Sequence, residues 1–223
     1  MTALHRFLVS ALIAASALPA AGMGYGQFDA ALDGIASRWQ TLPVEVIVDG
    51  GTLFGNSNGL ALVQQAVDAW NSVDGVPQLM LRPPAQSADD FALANFASWD
   101  VDDGKIRVVF DEGGEIFSAV GLDPAGGVLG LGSTTAAVST GAALGGIVLI
   151  NGHASVSGSG DLLGTIVHEF GHVLGLTHTP VGFGGLAPLP NSKRPTMYPF
   201  STGFDAGTLE PDDAAGIRAI YGP

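Results

Sequence analysis

The sequence contains no cysteine among its 223 residues. This absence excludes disulfide bonds, zinc sites built from thiolates, a thiol nucleophile and a lipoprotein-type lipid anchor. Any bound metal ion must therefore be held by nitrogen and oxygen ligands. Histidine is also scarce, and three of the five histidines lie within the short stretch 168–178.

Basic residues are few as well. The chain has 8 Lys and Arg residues against 21 Asp and Glu residues, and its formal net charge is -13 at pH 7. This charge repels phosphate backbones and argues against nucleic acid as a partner, while a solvated acidic surface explains it fully. With 47% hydrophobic and 13% charged residues, the chain is long enough to form one domain with a sizeable core.

Long hydrophobic runs are absent after the N-terminus. There, His5 and Arg6 precede an apolar run at 7–18, and small residues suited to signal-peptidase cleavage follow it. The run is shorter than the roughly 20 residues that a membrane-spanning helix needs. We therefore predict a signal peptide over 1–22, cleaved between residues 20 and 26, with a buried first helix as the alternative. The protein is expected to be secreted to the extracellular space or periplasm, as a monomer without a stable membrane anchor.

Local patterns predict strands and helices within a single domain over 23–223. An amphipathic helix is predicted from apolar residues spaced by three and four, and strands are predicted from alternating or β-branched residues. The helix covers 59–73, and the strands cover 43–49, 105–110 and 146–151. Pro211 and two aspartates favour a short closing helix within 209–222.

Two segments invite ligand interpretations that their sequences do not support. The glycine-rich stretch 126–132 lacks the Lys-Ser/Thr ending of a P-loop, so a flexible segment or an edge strand explains it better. The acidic groups at 100–103 and 111–115 do not match the EF-hand calcium loop, and turn chemistry explains them equally well.

The segment 161–175 is predicted to form a helix that presents two histidines on one face. Ser159 or Asp161 suits its N-cap. His168 and His172 are four residues apart, so their side chains lie one turn apart and about 40° apart around the axis. The apolar side chains of the helix spread over the opposite arc. The helix therefore buries one side and offers two imidazoles on the other.

Gly175 lets the chain leave this helix in a left-handed turn, so that His178 can supply a third imidazole. Three imidazoles suit zinc, which takes nitrogen at about 2.0 to 2.1 Å, and they leave one position to water as in catalytic sites. Glu169 points off the ligand face, so its carboxylate can take a proton from that water and pass it to a leaving amine. His168, His172 and His178 are thus the predicted zinc ligands, and Glu169 is the predicted general base.

The same residues, with "PTMYP" at 195–199 and the segment 209–222, resemble the metzincin clan of zinc endopeptidases. Within that clan they look like the matrixin-type catalytic domain, in a bacterial-type secreted form. The resemblance implies that Met197 forms a hydrophobic floor beneath the imidazoles, in a Met-turn. It also implies that Tyr198 and Pro199 wall the pocket for substrate residues that follow the scissile bond.

The resemblance further implies an α+β zincin fold. This fold has a twisted, mostly parallel sheet with one antiparallel edge strand, a backing helix, an active-site helix and a C-terminal helix. Substrate would pair as an extended peptide with the edge strand, expected in the region 116–135, and the loop 179–194 would border the pocket. Asp212 and Asp213 would tie the C-terminal helix to the Met-turn and the mature N-terminus, although stabilisation of the helix dipole explains them equally well.

Departures from related families narrow the resemblance. Pro199 stands where astacins and serralysins carry a zinc-binding tyrosine, and His178 stands where snapalysins carry an aspartate. A cysteine switch is excluded. The second, structural zinc of animal matrixins is not expected, because only His153 lies upstream of the helix, as a structural residue or part of the substrate rim. Calcium is compatible with the resemblance, but no ligands are assigned.

These observations predict a secreted zinc metalloendopeptidase that hydrolyses peptide bonds of extracellular proteins. The alternative is a zinc-stabilised, non-proteolytic binding or adhesion module on the same fold. Glu169 favours the enzyme, because a binding module has no need of a general base.

Overall fold

The computed structural model describes residues 26–27, 37–53, 59–75, 78–153, 162–179, 194–199 and 207–222. The predicted signal peptide, the candidate caps Ser159 and Asp161, and most of the loop 179–194 lie outside these ranges. Inside them, no helix has the length and apolar character needed to cross a membrane.

The strands form a central sheet and a small accessory sheet. They are β1 Gly26–Gln27, β2 Val44–Val48, β3 Leu79–Gln86, β4 Lys105–Asp111, β5 Gly130–Ala136, β6 Ala143–Asn151 and β7 Leu176–Thr177. The central sheet has the order β3-β2-β4-β6-β5, and β1 pairs with β7 in the accessory sheet. Within the central sheet, only β5 pairs antiparallel with its neighbour. The predicted mostly parallel sheet with one antiparallel edge strand is confirmed.

Four α-helices complete the described part of the fold: α1 Gly59–Asn71, α2 Glu115–Ala119, α3 Leu162–Val173 and α4 Pro211–Tyr221. A 3₁₀-helix, Leu93–Ser98, precedes β4. The predicted backing, active-site and C-terminal helices correspond to α1, α3 and α4, and α4 begins at Pro211 as expected. The sequence patterns did not predict α2, the 3₁₀-helix or β3. Two prolines obscure β3, which tolerates them because it lies at the edge of the sheet.

Apolar side chains bury both faces of the central sheet. In β2, Val44, Val46 and Val48 are buried, while the residues between them are half-buried on the other face. The valines belong to the larger core, which the sheet shares with α1, α3 and α4. The opposite face carries a smaller core beneath the 3₁₀-helix and α2. This two-sided burial explains why apolar residues occupy consecutive positions within β4 and β6, at 108–110 and 147–150.

The backing helix α1 positions the active-site helix α3. Its residues Val63, Ala66, Val67 and Trp70 are buried at three- and four-residue spacing. The indole N–H of Trp70 donates a hydrogen bond of 2.9 Å to the carbonyl of Val167 in α3. Because this contact is fully buried, it fixes the two helices in rotation as well as in distance.

Candidate metal centre

Three imidazoles converge at the end of α3. His168 and His172 lie one turn apart on the helix, and the centroids of their rings are 4.7 Å apart. The ring of His178 lies 5.1 Å from that of His168 and 4.7 Å from that of His172. The three side chains therefore face one point, as the spacing of the sequence predicts.

Gly175 makes this convergence possible. Its φ of 105° is a conformation that side-chain-bearing residues rarely adopt. Its N–H bonds the carbonyl of His172 at 2.9 Å, and the chain then reverses into β7, which ends one residue before His178. The predicted turn at the end of the helix is present.

Side chains from other elements cap the C-terminal carbonyls of α3. The carbonyl of Val173 accepts hydrogen bonds from the indole of Trp39 and the hydroxyl of Thr134, each at 2.9 Å. The carbonyl of Leu174 accepts one from the hydroxyl of Tyr221 in α4, also at 2.9 Å. These bonds satisfy carbonyls that have no partner within the helix, because they lie at its C-terminal end. The turn that leads to His178 is therefore anchored by Trp39, Thr134 and Tyr221.

Backbone carbonyls determine which nitrogen each helical histidine offers. Nδ1 of His168 lies 2.6 Å from the carbonyl oxygen of Thr196, and Nδ1 of His172 lies 2.8 Å from that of Leu176. A carbonyl only accepts hydrogen bonds, so each Nδ1 must carry the proton, and each Nε2 has a lone pair to offer. Burial lowers the pKa of His168 to about 4 and that of His172 well below its ordinary value, which favours neutral imidazoles.

The donor set fits a zinc ion. One ligand atom from each of the three histidines lies within 4.8 Å of the others, and the Nε2 atoms of His172 and His178 are 3.2 Å apart. Nitrogens bound to a single zinc ion at about 2.0 to 2.1 Å lie at comparable separations. In the described part of the chain, this is the one group of three or more candidate ligands. No carboxylate group there supports the calcium that the resemblance allowed.

Glu169 lies beside the histidines without joining them. It is only 6% exposed, and its carboxylate accepts a hydrogen bond from the backbone N–H of Gly132 on the edge strand β5. Burial raises the pKa of Glu169 to about 8, although the bond from Gly132 acts in the opposite direction. A buried carboxyl group therefore lies on the same helix as His168 and His172, and the edge strand orients it.

The contact between β5 and α3 requires glycine on the strand. A Cβ atom at Gly130 would lie 2.7 Å from the Cγ and Oε1 atoms of Glu169. A Cβ atom at Gly132 would collide with the backbone carbonyl of Glu169 and lie 2.8 Å from Cβ of His172. The last three residues of the glycine-rich stretch 126–132 thus belong to the edge strand, and the lack of side chains at Gly130 and Gly132 lets the strand approach the active-site helix closely.

The Met-turn lies directly under the helix. The side chain of Met197 is fully buried, and a Cβ atom at Gly171 of α3 would collide with its sulfur. The N–H of Thr179, the residue after His178, donates to the carbonyl of Met197 at 2.8 Å. The Met-turn is therefore hydrogen-bonded at two points of the site. The carbonyl of Thr196 bonds His168, and the carbonyl of Met197 bonds Thr179, the residue after His178.

Asp213 of α4 holds the Met-turn in place. Its buried carboxylate accepts three backbone hydrogen bonds, from Thr196 at 2.9 Å, Met197 at 3.0 Å and Glu210 at 2.9 Å. The expected tie between Asp213 and the Met-turn is present, and the bond from Glu210, the N-cap residue, also caps the start of α4. Asp212 instead accepts a bond of 3.2 Å from the hydroxyl of Thr179.

Comparison with known proteins agrees with this geometry. A family model described as Peptidase_M10: Matrixin matches residues 56–222. The chain belongs to the matrixin family. Membership, together with the three-histidine group, confirms the resemblance to the metzincins, the clan of zinc endopeptidases that the sequence indicated.

Two curated relatives are similar to part of this chain. Stromelysin-3 of Rattus norvegicus and stromelysin-3 of Mus musculus are each 42% identical to it over 62 residues. The matched stretch covers 28% of this chain and 10% of each relative, so the chain spans about a tenth of the length of the relatives that it matches.

The remaining predicted residues of this matrixin lie around the Met-turn and at the end of β6. Tyr198 and Pro199 follow Met197 and are half-buried, and the guanidinium of Arg194 lies 4.5 Å from the centroid of the Tyr198 ring. Their role as pocket wall stays a prediction. His153 lies apart from the three-histidine group, against Gly114, so its predicted role as a structural or rim residue also stays open.

Sequence reasoning did not identify Gly132, Leu176 or Thr196 as residues of the site. Leu176 and Thr196 act on the histidines through their backbone carbonyls, so their side-chain types carry no direct signal. For Gly132, the pair of glycines at alternate positions of a strand was the available sign, because it predicts close approach by a neighbouring element.

Gly132→Ala is expected to separate β5 from α3, because the added methyl group has no room against Glu169 and His172. The free energy of unfolding should fall by about 1 to 3 kcal/mol, and kcat/KM on a protein substrate should fall by about a hundredfold because Glu169 is displaced. Urea denaturation and initial rates provide the measurements. The control is Gly113→Ala, where the added Cβ meets only the side chain of Glu115, at 3.4 Å. Equal effects of the two substitutions would contradict the packing argument.

Asp213→Ala is expected to leave three backbone N–H groups without this acceptor, two of them buried, and so to lower the free energy of unfolding by about 3 kcal/mol. Since Thr196 orients His168, zinc affinity should also fall, by about tenfold. Denaturation and competition with a chromogenic chelator measure the two effects. Asp212→Ala, which removes one hydroxyl contact at 3.2 Å, should change both far less. If Asp213→Ala binds zinc as tightly as the wild type, the hydrogen bonds of Asp213 to the Met-turn do not influence the orientation of His168.

Proposed function

We propose that this matrixin is a secreted endopeptidase that hydrolyses peptide bonds of extracellular proteins, with Glu169 as its general base. The observation that carries the proposal is the position of Glu169. Glu169 directly follows His168 on α3, its buried carboxylate accepts a hydrogen bond from the N–H of Gly132, and it is not one of the three residues that form the histidine group. A carboxylate in this position suits proton transfer better than metal coordination.

His168, His172 and His178 are the residues that would hold the zinc ion. When bound, zinc supplies Lewis acidity, which polarises a peptide carbonyl and lowers the pKa of a water molecule to about 7. The protein contributes the fixed protonation of the histidine rings, because the carbonyls of Thr196 and Leu176 keep the proton on Nδ1.

Glu169 handles the proton in the proposed reaction. Its carboxylate takes a proton from the attacking water and later delivers it to the nitrogen of the departing amine. Burial raises the pKa of this group, which suits a carboxyl that must hold a proton between the two steps. The bond from Gly132 supports this role by keeping the carboxylate at the edge strand, where a substrate peptide would lie.

Substrate is proposed to bind as an added strand along β5. The carbonyl of Leu129 bonds the N–H of Asn151 on β6, so the backbone groups of the next residue, Gly130, point away from the sheet. β5 contains no proline, whereas Pro83 and Pro84 remove donors from the opposite edge strand β3. The sheet therefore offers one edge suited to pairing with a peptide, and that edge borders Glu169.

Glu169→Gln is expected to lower kcat/KM on casein or gelatin by about a hundredfold to ten-thousandfold, while zinc binding stays near one ion per chain because the three histidines remain. His178→Ala should lose zinc as well as activity. A chelator should abolish wild-type activity, and added zinc should restore it. The control is Glu115→Gln, an exposed carboxylate on α2, with unchanged rates expected.

The same measurements separate the enzyme from a binding module. If the wild type binds zinc yet cleaves neither the two proteins nor a broad peptide library, and Glu169→Gln behaves identically, then a zinc-stabilised adhesion module is the better assignment.

Secretion as a monomer without a membrane anchor is part of the proposal. The apolar run at 7–18 and the small residues after it support export, and β1 begins at Gly26, inside the predicted cleavage window. A cut upstream of Gly26 would keep the pairing of β1 with β7, next to His178.

N-terminal sequencing of exported protein is expected to give a first residue between Ala20 and Gly26. Replacing Leu12 with Arg, in the middle of the apolar run, should retain the protein in the cell because a signal peptide requires that run. Export of an intact chain beginning at Met1 would contradict the prediction.

A further inference from the structure

A buried asparagine joins the end of β6 to the segment that leads into β5. Asn151 is the last residue of β6, and only 1% of it is exposed. Its Nδ2 donates hydrogen bonds to the carbonyl of Pro124 at 2.9 Å and to the carbonyl of Val128 at 2.7 Å. Its Oδ1 accepts the backbone N–H of His153 at 3.0 Å. Both N–H groups of the amide and its oxygen are therefore engaged.

These bonds anchor residues 124–128, which we call the entry loop because β5 begins two residues later. The middle of the entry loop, 125–127, is exposed, whereas Pro124 and Val128 at its ends are half-buried. The backbone N–H of Asn151 also donates to the carbonyl of Leu129 at 2.9 Å. One residue thus holds both ends of the entry loop and the residue that directly precedes β5.

The three side-chain bonds of Asn151 require an amide. Two of the partners are carbonyls, which only accept hydrogen bonds, and the third is an N–H group, which only donates. An aspartate has almost the same shape and can still accept the N–H of His153. It would, however, place a buried carboxylate oxygen against two carbonyl oxygens, where no donor remains. Asn151→Asp therefore removes the two bonds to the entry loop without creating a cavity.

The entry loop sets the position of β5. Within the central sheet β5 is an edge strand and pairs with β6 alone. Val128 precedes Gly130 by two residues, so its anchor acts about 7 Å along the strand from Gly130, at a rise of about 3.3 Å per residue. Gly130 and Gly132 pack against Glu169, and the N–H of Gly132 bonds the Glu169 carboxylate. A displacement of the entry loop is thus transmitted to Glu169.

We propose that Asn151 is a positioning residue for peptide hydrolysis. Its amide fixes β5, and with it both the orientation of Glu169 and the edge proposed to bind substrate. This inference rests on the proposed function. The side-chain bonds of Asn151 go to the entry loop and to His153, so Asn151 acts on the reaction through the strand rather than by contact with the zinc ligands.

The first test is Asn151→Asp in the mature chain, with a peptide substrate long enough to pair with β5. We expect kcat/KM to fall by about tenfold to a hundredfold, through a lower kcat and a higher KM. The rise in KM is the decisive measurement, because partial unfolding removes active enzyme and lowers only the apparent kcat. Zinc content should stay near one ion per chain, since the carbonyls of Thr196 and Leu176 still orient His168 and His172.

The matched control is Asn71→Asp, the same chemical change at the end of α1. The amide of Asn71 bonds the carbonyl of Leu79 at 2.9 Å and its N–H at 2.8 Å, at the start of the opposite edge strand β3. This substitution should destabilise the protein but leave KM unchanged.

Amide hydrogen exchange tests the tether without reference to activity. In Asn151→Asp, exchange over 130–136 should be faster than in the wild type, while Asn71→Asp should leave it unchanged. If Asn151→Asp does not fold, Gly114→Ala carries the same test, because a Cβ atom at Gly114 would collide with the side chain of Pro124. Its control is Gly75→Ala, which also has a positive φ, of 82°, but whose Cβ atom would meet nothing within 4 Å.

A wild-type KM in folded Asn151→Asp, or in Gly114→Ala where that variant carries the test, would overturn the inference and leave the proposed function standing. An equal rise in KM in the matched control would overturn it as well, because the effect would then be one of general stability. A wild-type protein that binds zinc and cleaves no peptide would overturn the proposed function and this inference together.

Discussion

The rest of the site depends on the close approach of the edge strand β5 to the active-site helix α3. The strand reaches the helix because Gly130 and Gly132 have no side chains, and a methyl group at either position would meet Glu169. The approach puts the N–H of Gly132 on the carboxylate of Glu169 and leaves the outer edge of the strand beside it. One packing contact thus brings together the proposed general base and the edge proposed to bind substrate.

Residues outside the histidine group hold the histidines in place through a chain of hydrogen bonds, most of them to backbone groups. The carbonyl of Thr196 sets the protonation of His168, and the carboxylate of Asp213 sets the position of Thr196. The indole of Trp70 connects the same helix to α1. Because these partners are buried, each bond is strong and its loss leaves an unpaired polar group, so the geometry of the metal centre is set by residues well outside it.

Much of this site could be predicted from local patterns. The four-residue spacing of His168 and His172, the glycine at 175 and the acidic residue between the ligands all lie within one helix and its end, where periodicity determines direction. The strands β2, β4 and β6 were also predictable, because β2 is rich in β-branched residues, and β4 and β6 contain short runs of apolar residues. β3 was not, since its two prolines are tolerated only at an edge, and a sequence does not show where a strand lies in the sheet.

The sequence by itself determined which three histidines come together as a candidate metal site and which neighbouring carboxylate lies outside that group, because those relations depend on one helix and the glycine at its C-terminal end. Only the tertiary structure decided which partners orient them. Thr196 is 28 residues from His168, and Asp213 is 17 residues from Thr196. It also decided that Asp213, and not its neighbour Asp212, supports the Met-turn. The physical reason is that these partners act through backbone N–H and carbonyl groups, which every residue has and which only the fold can bring into contact.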